Sequence, residues 1–221
     1  MARLIGLRRK IHRKLGRPDG ALGIYLLGHR EYVGGMWEAI GKLQFDFLLS
    51  RGLEPEHVFL DVACGPLRLG VRLIPYLNRG NYLGIEKEER LVRMGIAKEL
   101  EPELYASKAP ELVISSSFEF EKFSRKPDFA IAQSLFTHLR EEDIALCLTK
   151  LRQCANPGSR FFATYFVGGE QRSPGESNAC HQFIYTREQA DGFGRAHGWK
   201  PNYIGGWDHP RNQIMVEYVA E

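Results

Sequence analysis

Apolar and polar positions along this chain fall into two alternating rhythms, one of helical spacing and one of short apolar runs, and together they lay out an α/β order. Starting at Met36, the side chains of Trp37, Ile40, Leu43, Phe47 and Leu48 share one helical face, predicting a helix of about four turns that ends near Gly52. Val58 to Val62 is a short apolar run bounded by a polar lead-in and by Gly65-Pro66, which predicts a strand buried on both faces that enters a tight turn. A short helix from Leu67 to Ile74, stopped by Pro75, is expected next. The pattern then repeats. Tyr82 to Ile85 reads as a second strand, Glu88 to Leu100 as an amphipathic helix, Leu112 to Ser116 and Phe129 to Ala132 as further strands, and Asp143 to Cys154 as a helix ended by the Asn156-Pro157-Gly158 turn. Phe161 to Phe166 is a fifth strand, Thr186 to His197 a helix opened by a Thr-x-x-Gln capping box, and Lys200 to Ile204 with Gln213 to Val219 a last pair of strands. This alternation predicts an α/β doubly wound domain.

Bulk properties fit one such domain: 221 residues, 43% hydrophobic and 26% charged. Cys64, Cys147, Cys154 and Cys180 show neither metal-ligand spacing nor a paired framework, so free thiols and a reducing, cytoplasmic setting are expected, with no metal. No apolar run approaches the length of about 20 residues that spans a bilayer, and no apolar signal core opens the chain. The net charge of +3 hides a division: residues 1–18 carry Arg3, Arg8, Arg9, Lys10, Arg13, Lys14 and Arg17 and no acid, leaving 23 basic side chains to face all 27 acidic ones in the remainder. Leu4, Leu7, Ile11 and Leu15 give this head an apolar stripe at helical spacing. It reads either as a basic amphipathic helix for an anionic partner (membrane headgroups, nucleic acid or an acidic glycan) or as a segment docked on its own domain.

The candidate chemistry gathers where the first strand ends. Asp61 lies inside that strand end and Ala63-Cys64-Gly65 forms the turn. Glu86 closes the second strand about twenty residues later, at the spacing by which a nucleotide-binding α/β unit sets a carboxylate against a ribose. A dinucleotide loop would read G-x-G-x-x-G, whereas the three positions here are Ala63, Gly65 and Arg68, which disfavours NAD and an oxidoreductase. The acid with its looser turn resembles motif I of the class I S-adenosylmethionine-dependent methyltransferases. Phe129 to Leu139 (FAIAQSLFTHL) resembles the fourth-strand region of that family, and Asn156-Pro157-Gly158 with Arg160 to Phe166 its fifth-strand entry. The resemblance spans roughly residues 36–221, with residues 1–35 a basic N-terminal extension.

What the resemblance implies is a Rossmann-like sheet of seven strands, mostly parallel with an antiparallel last strand, that binds S-adenosylmethionine and methylates an oxygen, nitrogen or carbon of a small-molecule acceptor. It implies cofactor contacts at Asp61, Ala63, Gly65, Arg68, Glu86, Ser117, Phe118, Gln133 and Ser134, with Arg68 near the methionine carboxylate and Tyr32 and Trp37 as aromatics over the crevice or in the core. Where the family commonly places an acid for the adenine amino group, this chain has Ser116, Ser117 and Phe118. The Asp or Asn-Pro-Pro-aromatic motif of base methylation is missing after the fourth strand, which sets a nucleic-acid methyltransferase using the basic head behind a small-molecule enzyme. Should the nucleophile be an oxygen, a histidine is the usual proton acceptor, and His138, His181 and His209 are the candidates. Gly168 to Cys180 is an insertion of the type that makes substrate lids.

Overall fold

A computed structural model describes residues 20–169, 175–178 and 181–221 of the protein. The basic head, including its expected amphipathic stripe, lies outside the described residues, as does Cys180. The chain opens with two short helices, α1 (Gly20–Leu27) and α2 (His29–Tyr32), followed by α3 (Trp37–Ser50). Then come β1 (Phe59–Val62), α4 (Gly70–Tyr76), β2 (Tyr82–Glu86), α5 (Glu89–Glu99), α6 (Pro102–Lys108) and β3 (Glu111–Ile114). The second half runs β4 (Phe129–Ala132), α7 (Glu141–Cys154), β5 (Arg160–Val167), β6 (Ile184–Tyr185), α8 (Arg187–Ala196), β7 (Trp199–Gly206) and β8 (Ile214–Ala220).

The strands lie in the order β3-β2-β1-β4-β5-β8-β7. Pairing is parallel from β3 through β5, and β8 runs antiparallel to both β5 and β7. An eighth, two-residue strand, β6, lies off this path and pairs with β5, one more than the seven expected. Its two residues lie too close to the irregular insertion to carry a pattern of their own.

Alternation along the strands divides the core into two layers. Phe59, Tyr82, Phe129, Ile131 and Phe162 pack with α3, α4 and α5, while Leu60, Val62, Leu83, Ala130 and Phe161 pack with α7 and α8 on the opposite face. Both faces are covered, which is why β1 reads as an uninterrupted apolar run. The strand order reverses between β1 and β4, and at such a reversal the helices before and after diverge to opposite faces and leave a crevice at the carboxyl ends of the strands.

Two local departures shape that crevice. The helix after β1 begins at Gly70 rather than Leu67, because Ala63 (φ 60°), Gly65 (φ 55°) and Leu67 (φ 66°) are all left-handed and the turn is longer than expected. Arg68 therefore sits in the turn, one residue before the N-cap Leu69, rather than in the first turn of the helix. Pro75 lies inside the last turn of α4 instead of stopping it. The turn is also wedged from behind by α5: a Cβ on Gly95 would lie 2.6 Å from the Pro66 carbonyl oxygen, so only glycine permits this approach. The expected capping box is present, with Thr186 accepting from the Gln189 amide and Gln189 returning a bond to the Thr186 amide.

Candidate functional site

A cavity of about 450 Å³ opens at the carboxyl ends of β1, β2 and β4, within the range of small-molecule sites. Its floor is the β1 turn with Asp61, Ala63, Gly65 and Arg68, and one side is Glu86 at the end of β2. Ser115, Ser116 and Phe118 follow from β3, and Gln133, Ser134, Leu135, His138 and Leu139 from beyond β4. Tyr32 at the end of α2, with Val33 and Gly34 just after it, reaches over the cavity, and Arg211 comes from the loop between β7 and β8.

Glu86 is the best-defined group. Its Oε2 accepts from the Gly65 amide and its Oε1 from the Glu88 amide, each at 3.0 Å. A carboxylate has about four lone-pair positions, so two remain for a ligand on the cavity side. Burial holds the Glu86 carboxyl above its ordinary range, although these amides oppose the shift. Burial likewise raises Asp61 to about 7, opposed by the Tyr82 hydroxyl that it accepts from at 2.8 Å and by Arg68.

Arg68 joins the floor to the rest of the site. One guanidinium nitrogen donates to the Val33 and Gly35 carbonyls at 3.3 and 3.2 Å, and the other to Gln133 Oε1 at 2.7 Å. Burial lowers its pKa to about 10, so it stays charged at neutral pH. Because a guanidinium only donates, that last bond fixes which end of the Gln133 carboxamide is oxygen; its nitrogen lies 2.6 Å from Ser134 Oγ and 3.0 Å from His209 Nε2. The Arg211 amide approaches His209 Nδ1 at 3.3 Å, and since a neutral ring accepts at one nitrogen only, the shorter contact assigns the lone pair to Nε2. Burial, with Arg211 and Arg68 nearby, lowers His209 to about 4. Ser134, itself left-handed at φ 57°, donates its amide to Thr164 Oγ1 and bonds Gln213, completing a buried polar cluster. Gln44 of α3 lines the cavity beside this cluster, and its Oε1 is buried without a partner. An orphaned acceptor of this kind fits a ligand that brings an N–H or O–H donor.

The fate of the expected residues is mixed. Asp61, Ala63, Gly65, Arg68, Glu86, Phe118, Gln133 and Ser134 all line the one cavity, whereas Ser117 does not and its neighbours Ser115 and Ser116 do. Among the histidines, His138 lines it and His181 and His209 do not. His209 is buried behind Gln133, and His181 contributes its carbonyl oxygen to His138 Nδ1. A carbonyl only accepts, so Nδ1 of His138 carries the proton and Nε2 is the basic nitrogen of the neutral ring. Tyr32 lines the cavity, while Trp37 is buried beside it under the Arg30 guanidinium. Described residues of the insertion, Ser177 and Asn178, form part of the rim. Gln44 and Gln213 escaped the sequence reading. Gln44 did leave a trace, a polar residue on the apolar stripe between Ile40 and Phe47.

No protein-family profile matches the chain. Among solved structures it is similar to magnesium protoporphyrin IX methyltransferase from Synechocystis PCC 6803 with bound S-adenosylmethionine (15% identity, 96% of this chain and 90% of that one, TM-score 0.59). It is also similar to the glycopeptide N-methyltransferase MtfA in complex with S-adenosylmethionine (13% identity, 82% and 94%, TM-score 0.61) and to DhpI in complex with S-adenosylhomocysteine (11% identity, 83% and 85%, TM-score 0.60). The chain thus has the Rossmann-like fold of the class I methyltransferases.

Proposed function

We propose that this protein is an S-adenosylmethionine-dependent methyltransferase acting on a small-molecule acceptor. The observation that carries the reading is Glu86, a buried carboxylate at the end of β2 whose backbone amide partners leave lone pairs for two ribose hydroxyls. The fold is shared with methyltransferases whose named acceptors are a porphyrin and a glycopeptide, and a small-molecule acceptor is the reading these support here.

In this reading the apolar arm between Ile85, Phe118, Leu135 and Leu139 receives the adenine, Glu86 the ribose, and Asp61, Arg68 and Gln44 the charged amino-acid end. Bound there, S-adenosylmethionine supplies a methyl group already activated by its positively charged sulfur. The chain's own task is then mainly orientation and the exclusion of water. His138, which lines the cavity with its Nδ1–H on the His181 carbonyl, is the imidazole placed to take up the proton that an oxygen or nitrogen nucleophile gives up.

The test is a thermal-shift comparison. A ligand that binds the folded state at about 100 times its Kd stabilises it by about 2.7 kcal/mol, a rise of several degrees for a domain of this size. S-adenosylmethionine should produce that rise and NAD should not. A protein indifferent to millimolar S-adenosylmethionine, or one stabilised by NAD instead, overturns the reading.

A further inference from the structure

We propose that α1 is a docking helix that seats the protein on an anionic phospholipid surface. Its sequence, GALGIYLL, holds no charged residue, although it lies on the outside of the molecule. Gly23 and Ile24 face inward, where Ile24 packs with Tyr32 and Leu91. On the outer side Leu22 is 61% exposed and Tyr25 69% exposed, the two highest values among the large apolar side chains described. A helix whose outer face met only water would carry polar residues there.

The charge around this face identifies the occupant. The Tyr25 ring meets the Arg90 guanidinium at 5.7 Å, and Lys87 is exposed on the same approach to α5. Of the acids nearby, Glu89 is engaged by Arg93 at 2.6 Å and Glu88 is half-buried. In the sequence, α1 is separated by the single acid Asp19 from the head, residues 1–18, with its seven basic residues and no acid. Stable attachment to a bilayer takes two signals, apolar insertion and attraction to anionic headgroups, and both adjoin here. A nucleic acid would satisfy the basic residues while leaving the aliphatic Leu22 in water, so the outer face of α1 decides between the two polyanions.

This docking does not depend on the methyltransferase reading, and its test does not use cofactor. The full chain is sedimented with phosphatidylcholine vesicles with and without phosphatidylglycerol. The wild-type protein should follow the anionic vesicles and not the neutral ones. Leu22→Ser with Tyr25→Ser should weaken that association about tenfold or more, while Leu22→Trp, which adds apolar area at an exposed position, should strengthen it. Arg8→Glu with Arg9→Glu and Lys10→Glu should weaken it as well. Absence of sedimentation, equal binding to neutral vesicles, displacement by RNA, or anionic binding that Leu22→Trp and the double serine variant leave unchanged would each overturn the proposal.

Discussion

The two walls of the cavity use different chemistry to hold polar groups out of water. On the β1–β2 wall, two buried carboxyls, Asp61 and Glu86, are held by a phenol and by backbone amides. On the wall beyond β4, the groups are neutral: Gln133 and Ser134 line the cavity, and the Gln213 carboxamide, the Thr164 hydroxyl and the His209 imidazole back them from the interior. The first wall offers charge in fixed positions and suits a ligand whose own groups never vary. The second is an interlocked neutral set, in which Arg68 fixes the Gln133 carboxamide and Gln133 in turn the His209 tautomer, so it offers hydrogen bonds of set direction rather than charge. Arg68 spans them, anchored on the carbonyls of Val33 and Gly35 and on Gln133.

The strongest way to break the first wall is Glu86→Ala. Losing two charge-assisted bonds to ribose should weaken S-adenosylmethionine by about 2 to 4 kcal/mol, roughly 30-fold to 1000-fold, as read by calorimetric titration. Glu86→Gln should be nearly as damaging, because its NH2 group would confront the Gly65 or Glu88 N–H that now donates to a carboxylate oxygen. Unchanged affinity in both variants would place the crevice elsewhere.

Cutting the joint between the walls comes next. Arg68→Ala should weaken S-adenosylmethionine by about 1 to 3 kcal/mol, roughly 5-fold to 150-fold, and Arg68→Lys should recover little, since one ammonium cannot span the three oxygens that Arg68 reaches. Full recovery by lysine would show that charge alone matters there.

The smallest effect sharpens the contrast by titration. Asp61 has a folded pKa raised to about 7, so between its unfolded value of about 4 and pH 7 the folded state holds the extra proton; this contribution to stability is present in acid and lost as pH rises to 7. His209 runs the other way. Its folded pKa of about 4 lies below the unfolded 6.5, so its contribution is present above pH 6.5 and lost as pH falls towards 4. In melts without ligand from pH 4.5 to 7.5, Asp61→Asn should steepen the acid loss of stability and His209→Gln should flatten it, each by a few degrees. Slopes that shift in the same direction would refute the opposition of the two walls.

The same contrast explains what could be read from the sequence. The first wall is written within one βαβ unit: Gly65 meets Glu86, and Asp61 meets Tyr82, across 21 residues in both cases. Strand ends and spacing were enough to find it, and β4 fell on the residues expected. Ser134 and Gln213 are 79 apart, and Arg211 and Gly34, to whose carbonyl the Arg211 guanidinium donates, are 177 apart. Nothing local announces such meetings. The helices α1 and α2 lie in a stretch broken by Gly20, Gly23, Gly28, Gly34 and Gly35 where no apolar period runs, and α4 begins at Gly70 because of the left-handed geometry of Leu67, which leaves no mark in a leucine. His181 and His209 were singled out for their chemistry, but proximity to the cavity is decided by burial, which a residue type does not state.

Gly95 gives the cavity a remote point of adjustment. It touches no part of the space a ligand would fill, yet any side chain there meets the Pro66 carbonyl and pushes the β1 turn towards that space. In a library of random variants, position 95 should therefore score among the pocket residues although it lies a helix away. Ligand affinity at the turn is inherited in part from how tightly a distant glycine lets one helix lean.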